Sequence, residues 1–244
     1  MYQAQRTDAM LDLLNHQEIL TTEMMIERFK VSRDTVRRDF TKLADEGKVK
    51  RVHGGIMRLE SEKEAFSFND RIKEFTESKK HIAGLARTFI KSNQTDFFDV
   101  STVVLQLAQM TDVAMTIYTH SLDNSIMLST NEKVDLHTLG GKFFPKNRFF
   151  YSLDEAMILK NISFDVAFIG AAGLKDGQVS FENQEDAQVK RLLLSHAKQK
   201  IILAESTKFQ KSATYSIGTL ADFDYLITDK KPAKQIISTI NVKY

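Results

Sequence analysis

The 244-residue sequence has no cysteine. That excludes disulfides, thiolate metal ligands and a cysteine nucleophile, and it agrees with a reducing compartment. No run reaches the roughly 18 apolar residues of a membrane-spanning helix, and the stretch from Met1 to Asn15 lacks the apolar core of a secretory signal. A cytoplasmic protein with no membrane partner is therefore expected. Internal repeats and low-complexity tracts are also missing, so solenoid and fibrous classes drop out. Net charge is nearly missing as well, with 34 Lys and Arg against 32 Asp and Glu. What remains is an ordinary globular composition, 42% apolar and 27% charged, in a chain long enough for two domains.

The near-zero charge conceals a local excess. From Arg28 to Arg58 there are ten Lys and Arg against four acids, whereas residues 59–244 carry 23 of each sign. A basic module joined to a neutral domain is the footprint of a polyanion-binding protein.

Helical periodicity occurs three times before residue 47. Met10, Leu13 and Leu14 form a first apolar stripe, followed by a break from His16 to Leu20. Thr21 or Thr22 can cap a second helix through Phe29, with Met25, Ile26 and Phe29 as its apolar side. Lys30 and Val31 then form a tight turn, and Ser32 caps a third helix running to about Glu46. On that helix Val36, Phe40 and Leu43 recur at i, i+4 and i+7 and face inward, which leaves Arg37 at the flank and Asp34, Arg38, Thr41 and Asp45 opposite. Such a face could be a solvated one, laced by Arg–Asp pairs at i, i+4. The tight turn before it and the basic stretch after it favour a helix that enters the major groove of double-stranded DNA.

After Gly47 the pattern becomes K-V-K-R-V-H-G-G-I-M-R. Val49, Val52, Ile56 and Met57 alternate with Lys48, Lys50, Arg51, His53 and Arg58, and Gly54-Gly55 reads as a hairpin turn. This is a winged helix-turn-helix in outline, with the wing placed to reach phosphates. His53 is a turn residue or a phosphate hydrogen-bonder. No second histidine lies at ligand spacing, so no metal site is expected there.

The domain assignment that follows is a winged helix-turn-helix over 1–58, with the helix-turn-helix at about 20–39, a charged linker over 59–80, and a second domain over 81–244. The second domain alternates helical and β-rich segments, which predicts a mostly parallel sheet in a three-layer α/β arrangement. Ligands of such sheets sit beyond the carboxyl ends of the strands. Four stretches fall there: Asp99-Val100-Ser101-Thr102, Thr119-His120-Ser121, Gly140-Gly141-Lys142 and Gly170-Ala171-Ala172-Gly173. Carboxylate, hydroxyls and the free amides of a helix start suit a sugar phosphate. Helix capping and turns draw on the same residue types.

The segment V-S-R-D-T-V-R-R-D-F-T-K-L-A-D-E-G-K-V-K-R-V-H-G-G closely resembles the N-terminal signature of the DeoR family of bacterial transcriptional regulators. The resemblance implies DNA contacts from Ser32, Arg33, Thr35, Arg37, Arg38 and Lys42 on the helix and from Lys48, Lys50, Arg51, His53 and Gly54 on the wing, with Asp39 orienting a neighbouring arginine. Members of that family are typically repressors of sugar or nucleoside catabolic operons. The second domain is similar to the same family's sensor domain, related in fold to sugar-phosphate isomerases, through I-G-A-A-G at 169–173, E-D-A-Q-V-K-R at 185–191, S-T-K-F at 206–209 and L-I-T-D at 226–229. That likeness implies a sugar-phosphate effector held by Asp99, Ser101, Thr102, Thr119, Ser121, Gly140, Gly141, Lys142 and Lys208, with Glu185 or Asp186 accepting from hydroxyls. Where the family has D-x-G-T-T this chain has D-V-S-T-V, so Ser101 adds a β-carbon and Val103 removes a hydroxyl; His120 stands where T-N-S has asparagine. Two alternatives accompany the reading: a regulator whose second domain no longer senses, and an isomerase-like enzyme using Asp99, Glu185 or Asp186 as acid and base. Outward arginines have no role in the enzyme. A homo-oligomer, dimer or tetramer, is expected for paired half-sites, and no cofactor.

Overall fold

The computed structural model describes residues 2–14, 17, 19–58 and 76–244, and the chain divides into two compact units, Met1–Glu64 and Ala65–Tyr244. Most of the expected linker, residues 59–75, lies outside the described residues.

The first unit runs α1 (Gln3–Leu14), β1 (Ile19–Thr21), α2 (Thr22–Phe29), α3 (Arg33–Asp45), β2 (Val49–Val52) and β3 (Gly55–Arg58). The Thr21 hydroxyl accepts from the Met24 amide and the Ser32 hydroxyl from the Thr35 amide, each at 3.2 Å, so both helices after the first start where a side-chain oxygen satisfies a first-turn donor. Between them Lys30 takes the left-handed conformation, φ 51°, which makes the turn tight. The inward stripe of α3 is fully buried and packs with Met10, Leu14, Leu20, Met25, Val49 and Ile56 in one core.

Two features of this unit differ from expectation. The hairpin turn is His53-Gly54, with Gly54 at φ +82°, and Gly55 already belongs to β3. The segment expected as a plain break supplies a third strand: β1 pairs antiparallel with β3, Thr21 opposite Gly55. A β-carbon on Gly55 would lie 2.2 Å from the Leu20 carbonyl oxygen, so the second glycine serves this close approach instead of the turn. A three-residue strand has too few positions to show a period, which is why the pattern passed it over. Its backbone pairing turns a marginal two-stranded ribbon into a three-stranded sheet.

The second unit runs α4 (Glu77–Arg87), β4 (Thr95–Phe98), α5 (Thr102–Gln109), β5 (Met115–Thr119), α6 (Leu122–Leu128), β6 (Val134–Thr138), β7 (Lys142–Phe144), β8 (Phe149–Tyr151), α7 (Leu153–Ile158), β9 (Phe164–Gly170), β10 (Gln178–Phe181), α8 (Gln184–His196), β11 (Ala197–Leu203), β12 (Tyr215–Thr219), β13 (Tyr225–Ile227), α9 (Lys234–Ile237) and β14 (Asn241–Lys243). Seven strands form one parallel sheet in the order β14-β13-β11-β9-β4-β5-β6. Side chains alternate between its faces. Phe97, Ala167, Ile169, Ile202 and Leu226 meet Ala187, Val189 and Leu193 of α8 on one side, while Phe98, Phe168, Ile201 and Ile227 meet Ile82, Ala83, Val104 and Leu107 of α4 and α5 on the other. Burial of both faces explains the apolar runs at 97–98, 166–169 and 201–203 in its central strands. The result is the three-layer α/β arrangement expected.

Here too the chain adds detail. Helix α4 is capped by Thr76 and begins at Glu77, inside the span expected as linker. Two antiparallel pairs were not anticipated, β7 with β8 and β10 with β12.

Asp96 lies in the middle of the sheet with no exposure. One carboxyl oxygen accepts from the Val166 amide at 3.0 Å; the other has no hydrogen-bond partner among the described residues. Burial, with the charge of Asp165 adding to it, pushes this carboxyl up to about 8. Folding at neutral pH thus takes up a proton, and stability is lost as pH rises from about 4, the unfolded value, through 8. Asp96→Asn keeps the accepting oxygen and removes the charge. Its melting temperature should exceed that of wild type at pH 8, by a margin that narrows at pH 5; thermal melts at the two pH values check this, and a constant margin would contradict it.

Candidate functional site

On the outer side of α3, Arg37 and Arg38 are exposed, and among the described residues neither forms an ion pair. Their neighbours differ. Arg33 pairs with Glu23 at 2.6 Å, and Glu46 is shared by Lys48 at 2.7 Å and Lys42 at 3.9 Å. The Arg–Asp ladder that a merely solvated face would use does not form among the described residues. Arg37 and Arg38 instead line one surface depression with Asp34, Thr41, Lys42, Asp45 and Glu46. On the wing, Lys50, Arg51, His53 and Gly54 are exposed, and the Arg51 guanidinium lies 5.6 Å from the Phe40 ring centroid. The Ser32 and Thr35 hydroxyls contact each other at 2.9 Å at the helix start.

Asp39 departs from expectation. It is fully buried and accepts from Arg6 Nε at 2.8 Å, Arg6 Nη2 at 3.2 Å and Gln3 Nε2 at 3.0 Å. The arginine it holds belongs to α1 and not to the neighbouring Arg37-Arg38 pair. The sign was present in the spacing, because Asp39 follows Val36 by three residues and so shares the inward stripe.

In the second unit a cavity of about 280 Å3 opens at the carboxyl ends of β4, β9 and β11. Of the predicted effector residues, Asp99, Ser101, Thr102 and Lys208 line it. Thr119 and Ser121 do not: Thr119 Oγ1 donates to the Phe98 carbonyl at 2.6 Å, and Ser121 Oγ accepts from the Asn124 amide at 3.2 Å, so both are engaged in building the start of α6. Gly140, Gly141 and Lys142 lie outside the cavity, opening the β7–β8 hairpin, where Gly141 at φ +111° passes beside the Tyr151 carbonyl. Glu185 also lies outside, and Asp186 takes the place in the wall. Ser101 changes the site further. Its hydroxyl accepts from the Val103 and Val104 amides at 3.2 and 3.3 Å, the donors that sequence reasoning reserved for an anion.

Below the cavity four ionisable side chains meet: Asp99 after β4, His120 after β5, and Asp186 and Lys190 one turn apart on α8, all buried. Asp99 Oδ1 lies 3.1 Å from His120 Nε2 and 3.0 Å from Lys190 Nζ, while its Oδ2 accepts from the Gly170 amide at 2.9 Å. Asp186 pairs with Lys190 and lies 3.6 Å from His120 Nε2. The Lys190 ammonium also sits 4.2 Å from the Phe181 ring centroid. Burial drives both carboxyls upward. For Asp99 the charges and hydrogen bonds of Lys190 and His120 outweigh it and hold the group below the ordinary carboxylate value. For Asp186 burial, reinforced by repulsion from Asp99, prevails and the group stays above it. Asp99, His120 and Asp186 are close enough to share a metal ion, but the Lys190 ammonium already supplies the positive charge between the carboxylates. Sequence reasoning missed Lys190 and Lys79, which also lines the cavity. An i, i+4 Asp–Lys spacing reads equally well as a surface pair.

Family models of the DeoR-like helix-turn-helix domain and the DeoR C terminal sensor domain match residues 6–62 and 74–230. The chain belongs to the DeoR family. It is 34% identical to the HTH-type transcriptional repressor GlcR of Bacillus subtilis over 95% of this chain and 90% of that protein. It is 29% identical to the L-fucose operon activator of Escherichia coli over 93% and 96% of the two chains. A solved ribose 5-phosphate isomerase A from Methanocaldococcus jannaschii is 13% identical, covering 55% of this chain and 54% of that one with a TM-score of 0.40. This DeoR-family chain is a DNA-binding transcriptional regulator. Among its described residues no helix is long and apolar enough to cross a membrane.

Lys190→Met would leave two buried carboxylates without their cation. Urea unfolding at pH 7 should show a loss of about 3–5 kcal/mol. Loss of the cation raises both folded values, that of Asp99 from below the ordinary carboxylate value and that of Asp186 further above it, so the cost of the change grows with pH and the deficit should shrink toward pH 5. A deficit independent of pH would show that packing, not charge, is what was lost.

Proposed function

We propose that this regulator represses a carbohydrate catabolic operon, binding paired operator half-sites as a homo-oligomer, dimer or tetramer, and that a phosphorylated sugar in the cavity modulates its affinity. In this reading residues 1–58 hold the DNA and residues 81–244 the effector. The observation that carries the reading is the pair of arginines on α3, exposed and, among the described residues, without ion-pair partners, beside a wing that exposes Lys50, Arg51 and His53. Unpaired guanidinium groups on a helix that follows a tight turn suit guanine edges in a major groove. Lys48, Lys50, Arg51 and His53, together with Arg33 and Lys42, suit phosphates, which fix register.

For the effector, the floor offers groups matched to hydroxyls, Asp99 and Asp186 as acceptors and Lys190 as donor, and the lining also includes Lys208 for a phosphate. Repression is relieved or strengthened only to the extent that the ligand distinguishes the DNA-competent state from the other. Ser101 favours a second reading, a regulator that has lost sensing, because its hydroxyl occupies the amides of Val103 and Val104.

Arg38→Ala should weaken binding to a duplex selected by the wild type from a random pool by about 1–3 kcal/mol more than binding to a scrambled duplex, whereas Lys50→Ala should weaken both alike. With about five phosphates neutralised per protomer, log K should fall against log salt with a slope near −4.5. Competition assays at one salt concentration, followed by a salt series, decide both; equal losses for Arg38→Ala would reduce it to a phosphate contact.

Calorimetric titration with a panel of sugar phosphates tests the effector. Lys208→Ala should weaken binding, and Ser101→Gly with Val103→Thr should tighten it by releasing two amides and adding a hydroxyl. Absence of binding by every variant leaves the non-sensing regulator.

A further inference from the structure

The buried contact between α1 and α3 does more than join two helices. Asp39 receives three donors from α1, two from Arg6 in a fork and one from Gln3, and the Arg6 and Asp39 side chains are 10% and 1% exposed. A pair this deeply buried contributes little stability compared with apolar groups of equal volume, because desolvation of both ions offsets their attraction. What it does provide is direction. The apolar contacts of Val36, Phe40 and Leu43 tolerate small rotations of α3 about its axis, since hydrophobic burial depends on area and not on angle. A two-point guanidinium–carboxylate fork does not tolerate them.

Asp39 immediately follows Arg37 and Arg38 in the chain. Fixing the Asp39 carboxylate therefore fixes the roll of the helix at the residues that face outward. A roll of about 15° moves the surface of a helix 10–12 Å across by about 1.5 Å, half a hydrogen-bond length. Recognition geometries lose their selectivity at errors of that size. Phosphate attraction, which falls off slowly with distance, is hardly affected.

We propose that Arg6, with Gln3, is a positioning residue for sequence discrimination: through Asp39 it sets the rotation of α3 at which Arg37 and Arg38 meet base edges. The inference rests on the reading of α3 as the groove-entering helix.

The test replaces the ion pair by apolar groups, Arg6→Met with Asp39→Leu, in the full chain. The exchange removes one charge of each sign, so net charge and the salt slope stay as they are. Binding is measured to a duplex selected by the wild type from a random pool and to its scrambled counterpart, with thermal melts alongside. The expected result is a melting temperature equal to or above wild type, unchanged affinity for scrambled DNA, and a selected-to-scrambled ratio reduced about tenfold. Arg6→Lys, which keeps the charge and loses the fork, guards against a paired variant that fails to fold; it should lower the ratio about fivefold or more, at the smaller end of one recognition contact. A folded paired variant, or Arg6→Lys, with the wild-type ratio would overturn the inference while leaving α3 as the reading helix. A wild type that prefers no selected duplex would overturn the reading itself and the inference with it.

Discussion

Asp99 enters the interior with no solvent exposure, and a carboxylate in that position has to be matched by groups brought from elsewhere. His120, Gly170 and Lys190 supply the match, one each from the ends of β5 and β9 and from α8. Four elements that are neighbours only in space are thereby tied at one point, directly under the cavity. The floor of the site and the packing of α8 against the sheet are consequences of one charge requirement. The first unit repeats the principle on a smaller scale, where Asp39 ties α3 to α1.

The two buried carboxylates differ in what they make available. Asp99 remains charged because its partners surround it, while Asp186 shares Lys190 with a like charge and holds a proton more readily. Adjacent groups with opposite tendencies let the floor both donate and accept, which suits a ligand rich in hydroxyls. Had Asp186 been paired alone with Lys190, the ammonium would be the one donor among these three groups.

Periodicity made much of this legible. The stripes on α2 and α3, the cap residues Thr21 and Ser32, and the alternation that yields the parallel sheet all follow from rules that act within one element. The contacts that escaped sequence reasoning join distant positions: Arg6 with Asp39, Asp99 with Lys190, Thr21 with Gly55. Nothing in the local spacing of Arg6 distinguishes a buried arginine from a solvated one. In the same way, Ser101 looked like an obstruction near a ligand, and its actual role as helix cap depends on a rotamer that no pattern encodes. The glycines of 140–141 follow β6, as expected, but they open a hairpin and do not line the cavity, since a strand end and a hairpin entrance call for the same residue.

Ser101 and Gly170 also face each other across the loops that follow β4 and β9. A β-carbon on Gly170 would come within 2.5 Å of the Ser101 β-carbon, so the space between the loops admits one side chain and not two. With a side chain at 101, any residue larger than glycine at 170 would have to push the two loops apart. The outline of the cavity wall at this point is therefore set by Ser101 and Gly170 together, and neither can be enlarged without the other giving way.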